Sequence, residues 1–223
     1  MWHDDSMIGS KEAARRLGVS QTRVRQLIDA GDLAADQIGG RWIVSDESLY
    51  RLNSRQRPGG RPFSPRIAWG VLSEISGVDP HWLTAPERSR IRRRVADRDW
   101  LSLAPRLRSR STVNRLRSHR SVPAQLVANS RIILGGVSAG FAGVIAAGEC
   151  EGYVREDEFT GIVDRYLLEP SEADANVLLR VVPLQEWRFQ PTQHVASSAV
   201  VAFDLLDAGD PRSVEAGLSI LDS

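Results

Sequence analysis

Apolar residues recur at helical spacing from the first segment of the chain. Ala13, Ala14 and Leu17 fall at i, i+1 and i+4, with Arg15 and Arg16 on the open side. This predicts a short helix from a capping Ser10 to about Leu17 and Gly18. Val24, Leu27 and Ile28 repeat at i, i+3 and i+4 and predict a second helix, capped by Ser20 and stopping at Gly31. Gly18 permits the sharp turn between them, and Val19 plugs the junction. Gln37-Ile38 and Trp42-Ile43-Val44 then read as short strands around Gly39-Gly40, a hairpin signal. Ser45 caps a further short helix with Asp46 and Glu47 in its first turn and Leu49 and Leu52 inward. The residues up to Met7 read as a loose tail.

Beyond this head the pattern changes. Residues 53–62, NSRQRPGGRP, lack periodicity and read as a linker. Ser64-Pro65 opens a helix whose apolar face is Ile67, Ala68, Val71, Leu72 and Ile75, ending at Gly77. Thr84 to Glu87 forms a capping box for a helix to about Asp99, with Ile91 and Val95 inward. Arg110 to Ser118 favours a strand over a helix, and Ser121 to Asn129 a helix. Arg131 to Leu134 reads as a short buried strand, and GGVSAGFAGVIAAG after it as a packed small-residue helix. Gly152 to Arg155 is a strand. Glu156 to Leu168 is an amphipathic helix with Phe159, Ile162, Val163, Tyr166 and Leu167 inward. A strand follows at Ala175 to Val182, then an apolar helix from Ala196 to Ala208 and a last helix from Asp210-Pro211. The sum is an α+β chain: an N-terminal winged helix-turn-helix over residues 1–52, a linker over 53–62, an arginine-rich, mainly helical region over 63–130 and an α/β region over 131–223.

The second helix is where chemistry is legible. With Val24, Leu27 and Ile28 inward, Gln21, Thr22, Arg23, Arg25 and Gln26 are left outward beside the capping Ser20. Arg can fork onto guanine, Gln onto adenine, and Thr can touch a thymine methyl or a phosphate. All lie near the helix N-terminus, the end that enters the major groove in a helix-turn-helix. Arg41, at the hairpin tip, can reach phosphate or minor groove. The alternative is a small three-helix interaction module; for single residues, Trp42 suits hairpin core, and Arg15 and Arg16 suit a solvated face. The order helix, Gly turn, helix, Gly-Asp-Leu, Gly-Gly hairpin and short helix resembles the excisionase and MerR-like winged domains.

The totals constrain the rest. At 223 residues with 42% hydrophobic content the chain supports one or two domains. No apolar run reaches transmembrane length, and the short acidic start does not read as a signal peptide. Cys150 is the single cysteine, which suits a reducing cytoplasm. His3, His81, His119 and His194 show no metal-ligand spacing. The formal net charge of +1 hides a polarity. Up to Arg131 stand 24 basic and 13 acidic residues, an excess of +11; from Ile132 onward stand 5 and 15, an excess of −10. Twelve arginines lie between Arg88 and Arg120 against Asp97 and Asp99. With Arg55, Arg57 and Arg61 of the linker, Arg90, Arg93 and Arg94 are candidates for contacts to phosphate or to an acidic partner, the alternative being a solvated or internally paired face. No aromatic residue interleaves the arginines from Leu101 to Arg120, so a single-strand stacking platform is unsupported there. The glycine-rich stretch matches neither a P-loop nor a dinucleotide fingerprint. Asp204, Asp207 and Asp210 are close in sequence but suit helix-end and capping roles. No catalytic residue, metal or cofactor is expected, and the oligomeric state is monomer or homodimer.

The C-terminal succession SRIILGGVSAG, EGYV, RYLLEPSEADANVLLRVVP and VVAFDLLDAGDPRSVEAGLSIL resembles the actinobacterial antitoxins of the AbiEi type. The most specific piece is Asp204 to Gly217, and the similarity runs from about Arg66 to Leu221. The resemblance implies the antitoxin of a type IV toxin–antitoxin operon. Its head would bind promoter DNA and repress, and its second domain would oppose a nucleotidyltransferase-like toxin. The residues themselves also admit a plain transcriptional or phage-type regulator, whose second domain dimerises, binds a ligand or touches DNA.

Overall fold

The computed structural model describes residues 7–17, 19–45, 48–49, 52, 61–140, 148–171 and 174–223. Gly18, Asp46, Glu47, Arg55, Arg57, most of the expected linker and the second half of the glycine-rich stretch lie outside the described residues. The chain forms two compact units. One is Met1–Pro58 with Ala208–Val214, the other Gly59–Asp207 with Glu215–Ser223.

In the first unit, β1 (Met7–Gly9) leads into α1 (Ser10–Leu17) and α2 (Gln21–Asp29), then β2 (Ala35–Ile38) and β3 (Arg41–Ser45). The strands form an antiparallel sheet in the order β1-β3-β2. Of the loose tail expected up to Met7, Met7 itself opens β1 opposite Ser45, and residues 1–6 lie outside the described residues; Ile8 stands opposite Val44 and Gly9 opposite Ile43. A three-residue strand carries too little periodicity to be read alone; its partner strand creates it. In the hairpin, Ile38 opposes Arg41 across a two-residue turn. Gly39 and Gly40 sit at φ +57° and +75°, the left-handed values that a tight primed turn requires and glycine adopts freely. Ala13, Ala14, Val24, Leu27, Leu33, Val44, Leu49 and Leu52 form one buried cluster, with Leu17, Val19 and Ile28 packed against it. Ser45 Oγ accepts the Ser48 N–H at 3.3 Å, and Ser48 Oγ accepts the Ala34 N–H at 2.7 Å. These two bonds fix the chain that leaves the hairpin.

The second unit opens with α3 (Pro65–Ile75), α4 (Ala85–Ala96) and α5 (Trp100–Leu107). Ser64 Oγ accepts the Ile67 N–H at 3.4 Å. Glu87 Oε2 accepts both the Thr84 N–H, at 2.8 Å, and the Thr84 hydroxyl, at 2.9 Å. Helix α4 stops at Ala96, short of the expected Asp99. Arg98 turns left-handed at φ +49°, and Asp99 instead caps α5 by accepting the Ser102 N–H at 3.2 Å. Next come β4 (Thr112–Arg117), α6 (Val122–Val127), β5 (Ile133–Leu134), β6 (Cys150–Arg155), α7 (Glu156–Tyr166), β7 (Glu169–Pro170), β8 (Val177–Val182), α8 (Ser198–Ala208) and α9 (Pro211–Asp222).

Five strands make one mixed sheet in the order β5-β6-β8-β4-β7. β6 and β8 run parallel, joined through α7, and the other pairs are antiparallel. β4, from the arginine-rich region, is thus a strand of the same sheet as β6 and β8. One sheet face buries Leu116, Cys150, Val154, Val177 and Leu179 against Leu126 of α6 and Ile162 of α7. Leu167 is not inward as expected. It closes α7 in the left-handed conformation at φ +50° and is 81% exposed, while Leu168 takes the buried place. Gly136–Ala139 form a 3-10 turn ended by Gly140 at φ +73°, so the described start of the glycine-rich stretch is not the α-helix expected.

The alternation of strand residues puts the other set on the opposite face: Glu151 and Tyr153 of β6, and Arg180 of β8, with Tyr153 and Arg180 directly opposed in register. Tyr153 packs edge-on to Trp69 of α3, with centroids 5.8 Å apart. All three side chains are nearly inaccessible to solvent, which is unusual for Glu and Arg unless they are paired.

Candidate nucleic-acid interface

Ser20 shapes the start of α2. It is extended, at φ −74° and ψ 156°, and its Oγ accepts the Arg23 N–H at 3.2 Å. That satisfies one of the four N–H groups a helix leaves open and leaves others facing out, with the positive end of the helix dipole. Val24 and Leu27 point into the core. Gln21, Thr22, Arg23, Arg25 and Gln26 are all exposed. Arg23 Nη1 donates to Gln26 Oε1 at 3.2 Å, tying two of these side chains together. Arg41 is exposed beside the hairpin turn, and its register partner Ile38 is 63% exposed. The exposure of Ile38 was not legible from its strand pattern, which left it without a role.

Arg15 and Arg16 are already engaged. Glu12 accepts from Arg15 at 2.6 and 2.9 Å and from Arg16 at 2.9 Å. These hydrogen bonds, Arg15 first, draw the Glu12 carboxyl down to about 2. The solvated-face alternative fits both arginines. Trp42 is half-buried rather than displayed.

In the second unit, Arg61, Arg90, Arg93 and Arg94 are exposed. Their neighbours are occupied: Arg88 Nη1 donates to the Leu83 carbonyl at 2.7 Å, Arg92 pairs with Glu74 at 3.1 Å, and Arg66 pairs with Glu87 at 2.7 Å. The Arg66 hydrogen bond, followed by those from Thr84, holds the Glu87 carboxyl at about 2.

Asp204 and Asp207 belong to a buried ionic network that the sequence pattern did not reveal. Asp204 Oδ1 accepts from Arg110 Nη2 at 2.6 Å and from the Tyr153 hydroxyl at 2.5 Å, and Arg180 Nε lies 3.2 Å away. Asp207 Oδ2 accepts from Arg110 Nη2 at 2.8 Å. Glu151 Oε1 accepts from Arg180 at 2.8 and 3.1 Å. Arg110 and Asp204 are wholly buried. Burial opposes the charge on Arg110, yet its anionic neighbours carry its pKa well above the ordinary value, while burial pushes the Tyr153 phenol up. Asp207 is therefore an ion-pair partner rather than a simple helix-end carboxylate, whereas Asp210 does cap α9, accepting the Ser213 N–H at 2.9 Å.

The glycine pair serves this network. The Gly136 N–H donates to Asp204 Oδ2 at 3.2 Å and the Val137 N–H to Glu151 Oε2 at 3.4 Å. A Cβ on Gly135 would lie 2.7 Å from Asp204 Oδ2, and one on Gly136 would run into the Glu151 carboxylate. The glycines let the backbone approach the protein's own carboxylates, as such loops elsewhere approach a phosphate. A signal was present in the sequence: Arg180 inside an apolar strand and Asp204 inside an apolar helix each require a buried partner. His194 does not join them; it is exposed. Nor does Cys150, whose buried thiol is pushed up to about 12. No group of three or more metal-ligating side chains occurs among the described residues, and no helix among them is long and apolar enough to cross a membrane.

No curated protein and no solved structure matches the chain. Residues 7–52 match a family model described as a helix-turn-helix domain, the same stretch in which Ser20 opens α2 and leaves its polar face free. The chain carries an N-terminal helix-turn-helix domain, a DNA-binding motif, joined to a second unit of mixed helix and sheet.

Proposed function

We propose that the protein is a sequence-specific transcriptional repressor of double-stranded promoter DNA, with a winged head in which α2 reads the major groove and the β2–β3 hairpin is the wing. The observation that carries this reading is the free polar face of α2: Gln21, Thr22, Arg25 and Gln26 stand exposed at the end of a helix capped by Ser20. Arg25 forms no ion pair among the described residues, so its fork is available to a guanine. Arg41 is placed to add a phosphate or minor-groove contact from the hairpin. One such head reads few base pairs, so useful specificity requires a dimer on two half-sites or a second contact from the same chain.

A finer reading is that the protein is an antitoxin, repressing its own operon and opposing a nucleotidyltransferase-like toxin in the cytoplasm. It rests on the resemblance of residues 66–221 and on the split of charge between the two parts of the chain. Co-expression with the neighbouring gene product, with and without residues 1–62, tests it. Growth rescue by the truncated chain assigns toxin neutralisation to the second unit; a harmless neighbour removes the antitoxin role and leaves the repressor. The alternative is a plain regulator whose second unit binds a ligand; the cleft of about 140 Å³ lined by Trp69, Leu72, Ser76, Phe189, Gln193 and Val200, among others, is smaller than the roughly 300–1,000 Å³ of drug-sized ligand sites.

A further inference from the structure

Helix α4 sorts its arginines into two sets. Arg88 and Arg92 are engaged, by the Leu83 carbonyl and by Glu74, Arg92 while itself exposed. Arg90, Arg93 and Arg94 fall at i, i+3 and i+4 and share one side. All three are exposed and none makes an ion pair among the described residues. Arg98, just past the helix, is likewise exposed, and Arg106 reaches the same neighbourhood. Its guanidinium lies 4.1 Å over the Phe63 ring and its Nε donates to the Arg61 carbonyl at 3.3 Å. Burial, and then the charge of Arg94, lower the Arg106 pKa. Glu87, three residues before Arg90, is taken up by Arg66 at 2.7 Å, and Asp97 follows three residues after Arg94.

Like charges at i and i+4 destabilise an isolated helix. A face of this kind is relieved by an anion, and its chemistry selects which kind. The remaining α4 positions on that side are Pro86, Ser89 and Glu87, the last half-buried and paired with Arg66, with Asp97 following. None offers the aromatic or aliphatic anchor on which a protein interface depends. Nor does the face display an aromatic ring for stacking single-stranded bases, since Phe63 is half-buried beneath Arg106. Arg90 and Arg94 are separated by about 6 Å along the helix, a reach that lets them engage successive phosphates of one strand. Phosphate contacts need charge and donors, not an apolar core.

We infer that the Arg90–Arg93–Arg94 face of α4 is a second, sequence-independent contact to the phosphate backbone of duplex DNA, separate from the reading face of α2. The inference rests on the DNA-binding reading of the head and adds to it. Two contacts on one chain raise each other's effective concentration, so the head need not supply all the affinity.

The test uses the full chain with Arg90→Gln, Arg93→Gln and Arg94→Gln combined. Gln keeps the helix propensity near that of Arg, and an unchanged melting temperature confirms the fold. Affinity for a random-sequence duplex of about three helical turns, and for a duplex selected by the protein from a random pool, is measured across a salt series. Each lost phosphate contact flattens the plot of log affinity against log salt by about 0.9. The triple variant is expected to lower the slope by about 3 and to weaken both duplexes alike. The single variant Arg93→Gln, expected to lower it by about 1, serves should the triple variant not fold. An unchanged slope overturns the inference. If that variant also loses retention on an immobilised acidic protein while keeping its DNA slope, the face belongs to a protein partner. Arg25→Ala, run alongside, separates the two readings. Loss of preference for the selected duplex with an unchanged triple-variant slope leaves the head intact and removes the second contact. Absence of DNA binding by the unmutated chain removes both.

Discussion

Replacing Asp204 by Asn keeps the shape of a side chain that holds four donors, so the cost reports charge. Arg110 at 2.6 Å, the Tyr153 hydroxyl at 2.5 Å and Arg180 at 3.2 Å all converge on Oδ1, and the Gly136 N–H reaches Oδ2 at 3.2 Å. An amide oxygen in the Oδ1 place retains the three contacts but as neutral acceptors, a loss of about 1 kcal/mol each. The amide NH2 then faces the Gly136 N–H, leaving buried donors without an acceptor and costing at least about 1–3 kcal/mol more. The total, about 4–6 kcal/mol, overlaps the roughly 3–5 kcal/mol measured when one member of a buried pair is removed. For a chain of this size it lowers the melting temperature by about 8–24 °C. Tryptophan fluorescence follows it, because Trp69 touches Tyr153. A loss below about 1 kcal/mol at unchanged denaturant slope would refute the reasoning: Asp204 would then not be the anion that balances two buried arginines.

Three further outcomes follow from the same geometry. Gly136→Ala, placed at φ +44° with the Glu151 carboxylate against its new Cβ, should cost about 2–4 kcal/mol from strain and overpacking together; a neutral effect in denaturant melts would contradict the close approach. Ser20→Ala removes the cap on α2 and should destabilise the first unit by about 1 kcal/mol, read as faster amide exchange in α1 and α2. Glu87 has its folded pKa drawn from 4.5 to about 2, by Arg66 first. Its stabilising contribution is present above 4.5 and is lost as pH falls toward 2. Glu87→Gln should therefore flatten the acid limb of the stability profile, and an unaltered limb would count against the Arg66–Glu87 pair.

The head was largely legible because its signals are local. Ser20, the i, i+3, i+4 set of Val24, Leu27 and Ile28, and the Gly39-Gly40 turn each carry their own physics within a few residues. β1 was not legible, since three residues form a strand only when β3 offers an edge. In the second unit β8 was readable from its apolar run, β6 over Gly152 to Arg155 and β4 as strand favoured over helix, but their order in the sheet was not. The ionic network was the largest omission. Arg110, Glu151, Arg180 and Asp204 are scattered over 95 residues, and only the parallel pairing of β6 and β8 brings Tyr153 beside Arg180. The glycine pair matched no nucleotide-binding fingerprint, and its purpose depended on carboxylates arriving from β6 and α8. Leu167 was misplaced because helical periodicity was extended one residue beyond the point where the backbone turns left-handed.

The central claim is that α2 reads base sequence through Arg25 and its neighbours. The most direct test is to select the preferred duplex from a random pool with the full chain, then compare Arg25→Ala with the unmutated protein on that duplex and on random DNA at fixed salt. The account predicts a loss of about 1–3 kcal/mol on the selected duplex, a relaxed base preference at one position and little change on random DNA. Equal loss on both duplexes, or no preferred sequence emerging from the pool, would contradict it.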